Sequence, residues 1–255
     1  MHLVDYHLHP YSHGEKNNYG IKLMEDFINY AVKNKIKEIG FSDHDEFSQK
    51  LNWESMDYIK KHSPIPLLKG LEFDYIPGRE EEITTKISKY ELDYSIGSVH
   101  YIDGWGFDNP AFIDEYEKRD IDQCYLEYFN NLKKAVNSGL FNIIGHFDLI
   151  KVFGYRPVKI KLMEIIKPIL KDIKRTDLVL ELNTNGLNKP VKEIYPSIEI
   201  LEMAYQLRIP ITFGSDAHQA KRVGENIAKY TALVKKIGYT ELAVFNKGQI
   251  RFRKL

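Results

Sequence analysis

Three histidines, His7, His9 and His13, fall within the stretch VDYHLHPYSHG at residues 4–14, in a chain that has only nine. On an extended strand, residues i and i+2 share a face, so His7 and His9 would point their imidazoles the same way. Groups of the same kind recur along the chain. They are Asp43-His44 in FSDHDE, Glu72 in LLKGLEFD, His100 in SIGSVHY, His146 in NIIGHFD, Glu181 and Asn183 in LVLELNTNG, and Asp216 with His218 in ITFGSDAH. Neutral imidazoles combined with carboxylates are a ligand set for zinc, iron(II) or manganese. Three or four ligands hold one ion, so a set this large implies two or three divalent ions. Taken singly, each residue has an ordinary explanation. A lone histidine at a strand end is often a surface or capping residue, and Asp43 or Asp216 could cap a helix.

The elements that would position these groups can be read from periodicity. Short apolar, β-branched segments at 2–7, 38–42, 66–73, 94–99, 142–145, 178–182 and 209–213 predict strands. Between and after them, amphipathic patterns predict helices over 22–34, 53–62, 80–90, 110–138, 161–175, 197–207 and 225–237. Leu23, Phe27, Tyr30 and Ala31 have the spacing of one buried helix face, and Gly139 reads as a helix stop. Seven strands alternating with helices predict an α/β fold with a parallel sheet. At 255 residues a closed (β/α) barrel of about seven strands is favoured over an open sheet. A short hairpin is expected over 242–253. On this map every strand finishes in a ligand-type or strongly polar group. In a parallel barrel all carboxyl ends open on one face, so residues far apart in sequence would converge there.

Composition excludes some functions. Lys plus Arg and Asp plus Glu both number 36, so no general basic field invites nucleic-acid polymers or an anionic membrane. No apolar run approaches the roughly 18 residues of a membrane span, and no signal-peptide pattern opens the chain. The single cysteine, Cys124, cannot form an internal disulfide, and a cytoplasmic protein of one domain over 1–255 is expected.

The motifs His7-x-His9, Asp43-His44, Glu72, His100, His146 and Asp216-x-His218, in this order, resemble those of the polymerase-and-histidinol-phosphatase (PHP) family of metal-dependent phosphoesterases. The stretches EFDYIPG, GHFDLIKVFG and LELNTNGLNKPVKEIYPS are similar to its histidinol-phosphatase branch. The resemblance implies a distorted seven-stranded, TIM-like barrel and a site of up to three ions. In that carry-over His7, His9, Glu72 and Asp216 hold the first ion. Glu72 bridges to a second held by His100 and His146, and His13, His44 and His218 hold the third. Asp43 would orient a ligand or the His44 loop, and Asp5 either does likewise or simply ends its strand. A carboxylate-bridged metal pair can hold a hydroxide, which would attack a phosphate monoester in line. Asp216 and His218 are the candidates to serve the leaving alcohol.

A small phosphorylated substrate, L-histidinol phosphate above all, would also need cations and polar groups outside the metals. Arg156 is the leading candidate for the phosphate, followed by Lys189 and Arg222. Asn183 and Asn185 could contact substrate or fix the rim. Glu181 could accept an ammonium or merely brace the barrel. Tyr101, Trp105 and Phe107 could line a pocket or pack a loop. The rival readings are a phosphoesterase acting on nucleotides or phosphotyrosine, an amide or ester hydrolase on a similar barrel, and a catalytically silent metal-binding module. Oligomeric state is not legible.

Overall fold

The computed structural model describes residues 2–12, 20–246 and 248–255. Seven parallel strands form one sheet in the order β1 (Val4–Leu8), β2 (Glu38–Phe41), β3 (Leu67–Asp74), β4 (Tyr94–Ser98), β7 (Ile143–Ile144), β8 (Val179–Asn183) and β9 (Ile211–Gly214). The last strand returns to the first. Ala217 forms a parallel bridge with Leu8, and the His9 amide donates to the Ala217 carbonyl at 3.0 Å. The sheet is therefore a nearly closed barrel, as the alternation predicted. Two small hairpins complete the strands. β5 (Tyr101–Ile102) pairs with β6 (Trp105–Gly106) on the rim after β4, and β10 (Glu241–Asn246) pairs with β11 (Gln249–Lys254) at the end of the chain.

Helices α1 (Ile21–Lys33), α2 (Trp53–His62), α3 (Glu80–Lys89), α4 (Ile121–Asn137), α5 (Leu162–Arg175), α6 (Ile198–Gln206) and α7 (Ile227–Ile237) are the connections. Each turns an apolar stripe inward. On α1 the fully buried residues are Met24, Phe27, Ile28 and Ala31, while Leu23 and Tyr30 pack at the edge of the core. The face is thus rotated slightly from the one the spacing predicted.

One element departs from expectation. The continuous helix expected over 110–138 is two pieces, a 3-10 stretch over Pro110–Lys118 and then α4. Arg119 is extended, at φ −118° and ψ 152°, and Asp120 caps α4 by accepting the amides of Asp122 at 2.9 Å and Gln123 at 3.2 Å. The N-cap carboxylate gives the second helix its own start, so the amphipathic pattern runs on while the chain bends.

Inside the barrel, strand residues fill the space to the floor of the carboxyl end. Tyr94 lies across Gly40 and Gly70, where an added Cβ would come within 2.2 and 2.5 Å of its ring or hydroxyl, so those positions must stay bare. Among the described residues, no helix is long and apolar enough to cross a membrane.

Candidate metal centre

Glu72 is the hub. It sits near the end of β3, almost wholly buried. Its Oε1 lies 2.8 Å from His146 Nε2 and 3.6 Å from His100 Nε2. Its Oε2 lies 3.0 Å from His44 Nδ1, 3.3 Å from His7 Nε2 and 3.6 Å from His9 Nε2. One carboxylate thus faces five imidazoles that come from the ends of four different strands or the turns just after them. Asp216, after β9, completes the ring, with Oδ1 at 3.4 Å from His9 Nε2 and 3.5 Å from His218 Nδ1. The rings of His44 and His218 both stack on His9, at 4.5 and 4.3 Å.

Ligand atoms gather in four overlapping groups, each within 4.8 Å: His7, His9 and Glu72; His7, His146 and Asp216; Glu72, His100 and His146; and His9, His44 and His218. The fold therefore brings together all the expected ligands that it describes. His13 lies outside the described residues.

These side chains fit divalent ions better than they fit one another. His7 Nε2 and His9 Nε2 are buried and face carboxylate oxygens at 3.3–3.6 Å, yet neither makes a hydrogen bond. Two atoms each bonded to one zinc-sized ion at about 2.0–2.1 Å stand roughly 3–3.5 Å apart, which is the spacing observed. Electrostatics keep both carboxylates ionised. Burial opposes ionisation of Glu72, but His7, His100 and His44 hold its carboxyl well below the ordinary range. Burial likewise opposes ionisation of Asp216, and His7, His9 and His218 outweigh it. Burial, then the neighbouring His218 and His44, push His9 well below an ordinary histidine, so it is neutral as a ligand must be.

Behind the ligands stands a set of orienting groups. Glu181 Oε1 is 2.6 Å from His7 Nδ1, and its Oε2 accepts the His146 amide at 2.7 Å and the Asn183 amide group at 3.2 Å. Glu181 therefore braces the site from within the barrel, out of reach of a substrate ammonium. Asn183, fully buried, also faces Asp216 Oδ2 at 3.5 Å. Asn185 donates to the same oxygen at 3.0 Å and accepts from Arg222 at 2.8 Å. Asp43 accepts the Tyr11 amide at 2.8 Å, holding the segment that follows His9. Asp5 accepts from the Ser215 amide and hydroxyl at 2.8 and 2.5 Å and from the Gly224 amide at 2.8 Å, which ties β1 to the turn carrying Asp216. Sequence reasoning overlooked Asp74, whose carboxylate bonds His100 Nδ1. The signal was present. Asp74 follows Glu72 by two on β3, and so faces the same way.

The centre forms the floor of a cavity of about 580 Å³. Its walls include Tyr101, Phe112, Leu149 and Val152, with Glu46, Asp108 and Lys189 among its charged groups. Lys189 thus reaches the cavity. Arg156 pairs instead with Glu193 at 2.7 Å, and Arg222 with Glu225 at 3.0 Å in addition to Asn185. Tyr101 lines the cavity, whereas Trp105 and Phe107 are buried in rim packing.

The PHP domain model matches residues 5–185 of this sequence. The chain belongs to the PHP domain family. Within this family it falls in the histidinol-phosphatase branch. It is 39% identical over 170 residues to a probable histidinol-phosphatase of Deinococcus radiodurans, an alignment covering 66% of this chain and 64% of that protein. It is 28% identical to the histidinol-phosphatase of Lactococcus lactis, over 96% of this chain and 95% of that one. A solved structure of histidinol phosphate phosphatase from Lactococcus lactis, complexed with zinc, L-histidinol and phosphate, superposes with a TM-score of 0.78 at 26% identity, covering 98% of each chain. β9, with Asp216 and His218, lies beyond the part that the PHP model matches, and it is the strand that closes the barrel.

Proposed function

We propose that this PHP protein is a phosphoric monoester hydrolase that converts L-histidinol phosphate to L-histidinol and phosphate, a step of histidine biosynthesis, in the cytoplasm, with residues 1–255 working as one domain. The observation that carries this is Glu72 set among five imidazoles at the floor of a pocket that also holds Lys189. The zinc, L-histidinol and phosphate of the similar Lactococcus structure support the choice of substrate.

Two or three divalent ions, of zinc, iron or manganese, belong to the site. His7, His9, Glu72 and Asp216 would hold one, and Glu72, His100 and His146 a second. His44 and His218, together with His13, would hold a third. Bound ions would supply Lewis acidity toward the phosphoryl group and a water of lowered pKa. The protein's own part is orientation and proton handling. Glu181 and Asp74 hold His7 and His100 by the nitrogen turned away from Glu72, which fixes each ring's direction. Lys189 offers the phosphate a charge outside the ligand set, with Arg222 acting through Asn185 and Asn183 steadying Asp216. Arg156 is held back by Glu193. Asp216 and His218, 3.5 Å apart, would serve the departing alcohol. Glu46 and Asp108 give the cavity acceptors for an ammonium, and Tyr101 and Phe112 give flat surfaces for an imidazole. A small phosphorylated molecule suits this enclosure better than a nucleic-acid polymer.

The test is phosphate release by metal-loaded protein from L-histidinol phosphate, nucleoside monophosphates and phosphotyrosine. Preference for histidinol phosphate, abolished by EDTA, is expected. Metal-dependent turnover of another member of the panel would keep the chemistry and overturn the substrate.

A further inference from the structure

Tyr195 sits on the segment between β8 and α6, at the pocket wall, and its position is tightly determined. The Asn183 amide donates to the Tyr195 carbonyl at 2.6 Å, and the Tyr195 amide donates to the Asn183 carbonyl at 3.0 Å. Its backbone is thus tied to the strand end that steadies Asp216. The ring is seated in a notch at Gly186, where an added Cβ would lie 2.8 Å from a ring carbon and 2.0 Å from the Glu193 carbonyl oxygen. Lys151, buried and paired with Asp148 at 2.8 Å, lies 5.3 Å from the ring centroid and donates to the Ile194 carbonyl at 2.8 Å. The ring edge meets His146 at 6.4 Å between centroids.

The hydroxyl at the end of this well-held ring is buried and makes no hydrogen bond with any described residue. Tyr6, Tyr94, Tyr125 and Tyr128 are buried to the same degree, and each gives its hydroxyl proton to a protein oxygen. Leaving a buried hydroxyl unpaired is costly, and so many fixed contacts would not normally be spent on holding it that way. The exception among these five tyrosines is the one that lines the pocket, next to the ligand His146.

We propose that the Tyr195 hydroxyl is a hydrogen-bond donor to a phosphoryl oxygen of the substrate. This rests on the pocket being a phosphate site, though not on histidinol phosphate being the ester that enters it. Position selects the phosphoryl group over the alcohol portion, because Tyr195 stands beside the ligand His146 at the metal end of the cavity, whereas Tyr101 and Phe112 are exposed lining residues. Protonation favours a donor. A phenol's ordinary pKa of about 10 leaves it protonated at neutral pH. A neutral donor also adds no repulsion to a site that gathers cations.

The experiment compares metal-loaded wild type with Tyr195→Phe. It measures metal content, the thermal midpoint with and without inorganic phosphate, and kcat/KM for histidinol phosphate and for p-nitrophenyl phosphate. Tyr195→Phe should keep its metal and unfold at the same temperature as wild type or higher. The midpoint rise that phosphate gives the wild type should shrink by half or more. Both esters should lose about 10- to 100-fold in kcat/KM, the scale of one hydrogen bond to a charged group. Three results would overturn the proposal. A lower midpoint without phosphate would mean that the hydroxyl has a structural partner. An unchanged phosphate response, including none in either protein, would mean that it does not meet phosphate. A loss confined to histidinol phosphate would assign it to the alcohol portion. If wild type ignores histidinol phosphate while its response to inorganic phosphate depends on Tyr195, the substrate assignment fails and the role of Tyr195 stands.

Discussion

The two ends of the barrel are made from the same strands and treat polar atoms in opposite ways. At the amino end, the β10–β11 hairpin covers the opening. Phe245 packs on Tyr6 and Tyr94 at 5.6 and 5.8 Å between ring centroids. The Tyr94 hydroxyl donates to the Tyr6 carbonyl at 2.6 Å, and the Tyr6 hydroxyl to Glu38 at 2.5 Å. The Gly248 amide donates to the Asp93 carbonyl at 2.7 Å, fastening the hairpin to the turn before β4. At the carboxyl end, the Nε2 atoms of His7 and His9 are as deeply buried but lack hydrogen-bond partners, and they converge on Glu72 and Asp216. At the amino end the Tyr6 and Tyr94 hydroxyls are satisfied internally and so contribute stability. The carboxyl end leaves its groups to be completed by something bound.

Substitutions should separate the two ends. The largest effect is expected from Glu72→Gln. Activity should fall by more than about a hundredfold, beyond the range for losing a group that only orients a ligand, and metal content measured by mass spectrometry should drop. Next, Tyr94→Ala should cost roughly 3–5 kcal/mol in denaturant unfolding, the scale for emptying a buried aromatic site. The fraction that remains folded should still bind metal and turn over substrate. Asp74→Asn lies behind the rim and should lower metal affinity or kcat/KM by about 10- to 100-fold, with little change in stability. Smallest is a pair outside both ends. Glu82 on α3 pairs with Arg79 and Lys86, and these hold its carboxyl down to about 2 from 4.5. Glu82 is half exposed, so solvent screening leaves Glu82→Gln a cost of only about 0.5 kcal/mol. Because the folded pKa is depressed, that contribution is present above pH 4.5. It should fade as the pH falls toward 2, so that wild type and variant converge in acid melts.

The contrast between the ends also explains what the sequence disclosed. Groups at the carboxyl end were legible because ligand chemistry restricts residue type. A histidine at the end of each of several strands is hard to account for otherwise, and His7, His9, His44, His100, His146 and His218 do meet. Asp74 and Tyr195 were harder to read, because an orienting carboxylate or a single phenol can be recognised only once its neighbours are known. Arg156 reads as a phosphate contact in sequence, and only the folded chain reveals that Glu193 engages it. The rim hairpin β5–β6 could have been seen. Its Asp103-Gly104 turn, with φ of 50° and 75°, is a common two-residue hairpin signal. The break before α4 was hidden because the apolar pattern continues through it, although Asp120 is the kind of residue that starts a helix.

Completion of the converging carboxyl-end side chains by divalent ions can be tested directly. The most direct measurement is metal stoichiometry on the purified full chain, paired with its thermal midpoint before and after EDTA. Two or three ions per chain are expected in wild type and fewer in Glu72→Gln. Chelation should lower the midpoint of wild type, because ions that bind only the folded site stabilise it. A wild-type chain that takes up no metal, and whose midpoint EDTA leaves unmoved, would rule out a metal centre at this end of the barrel.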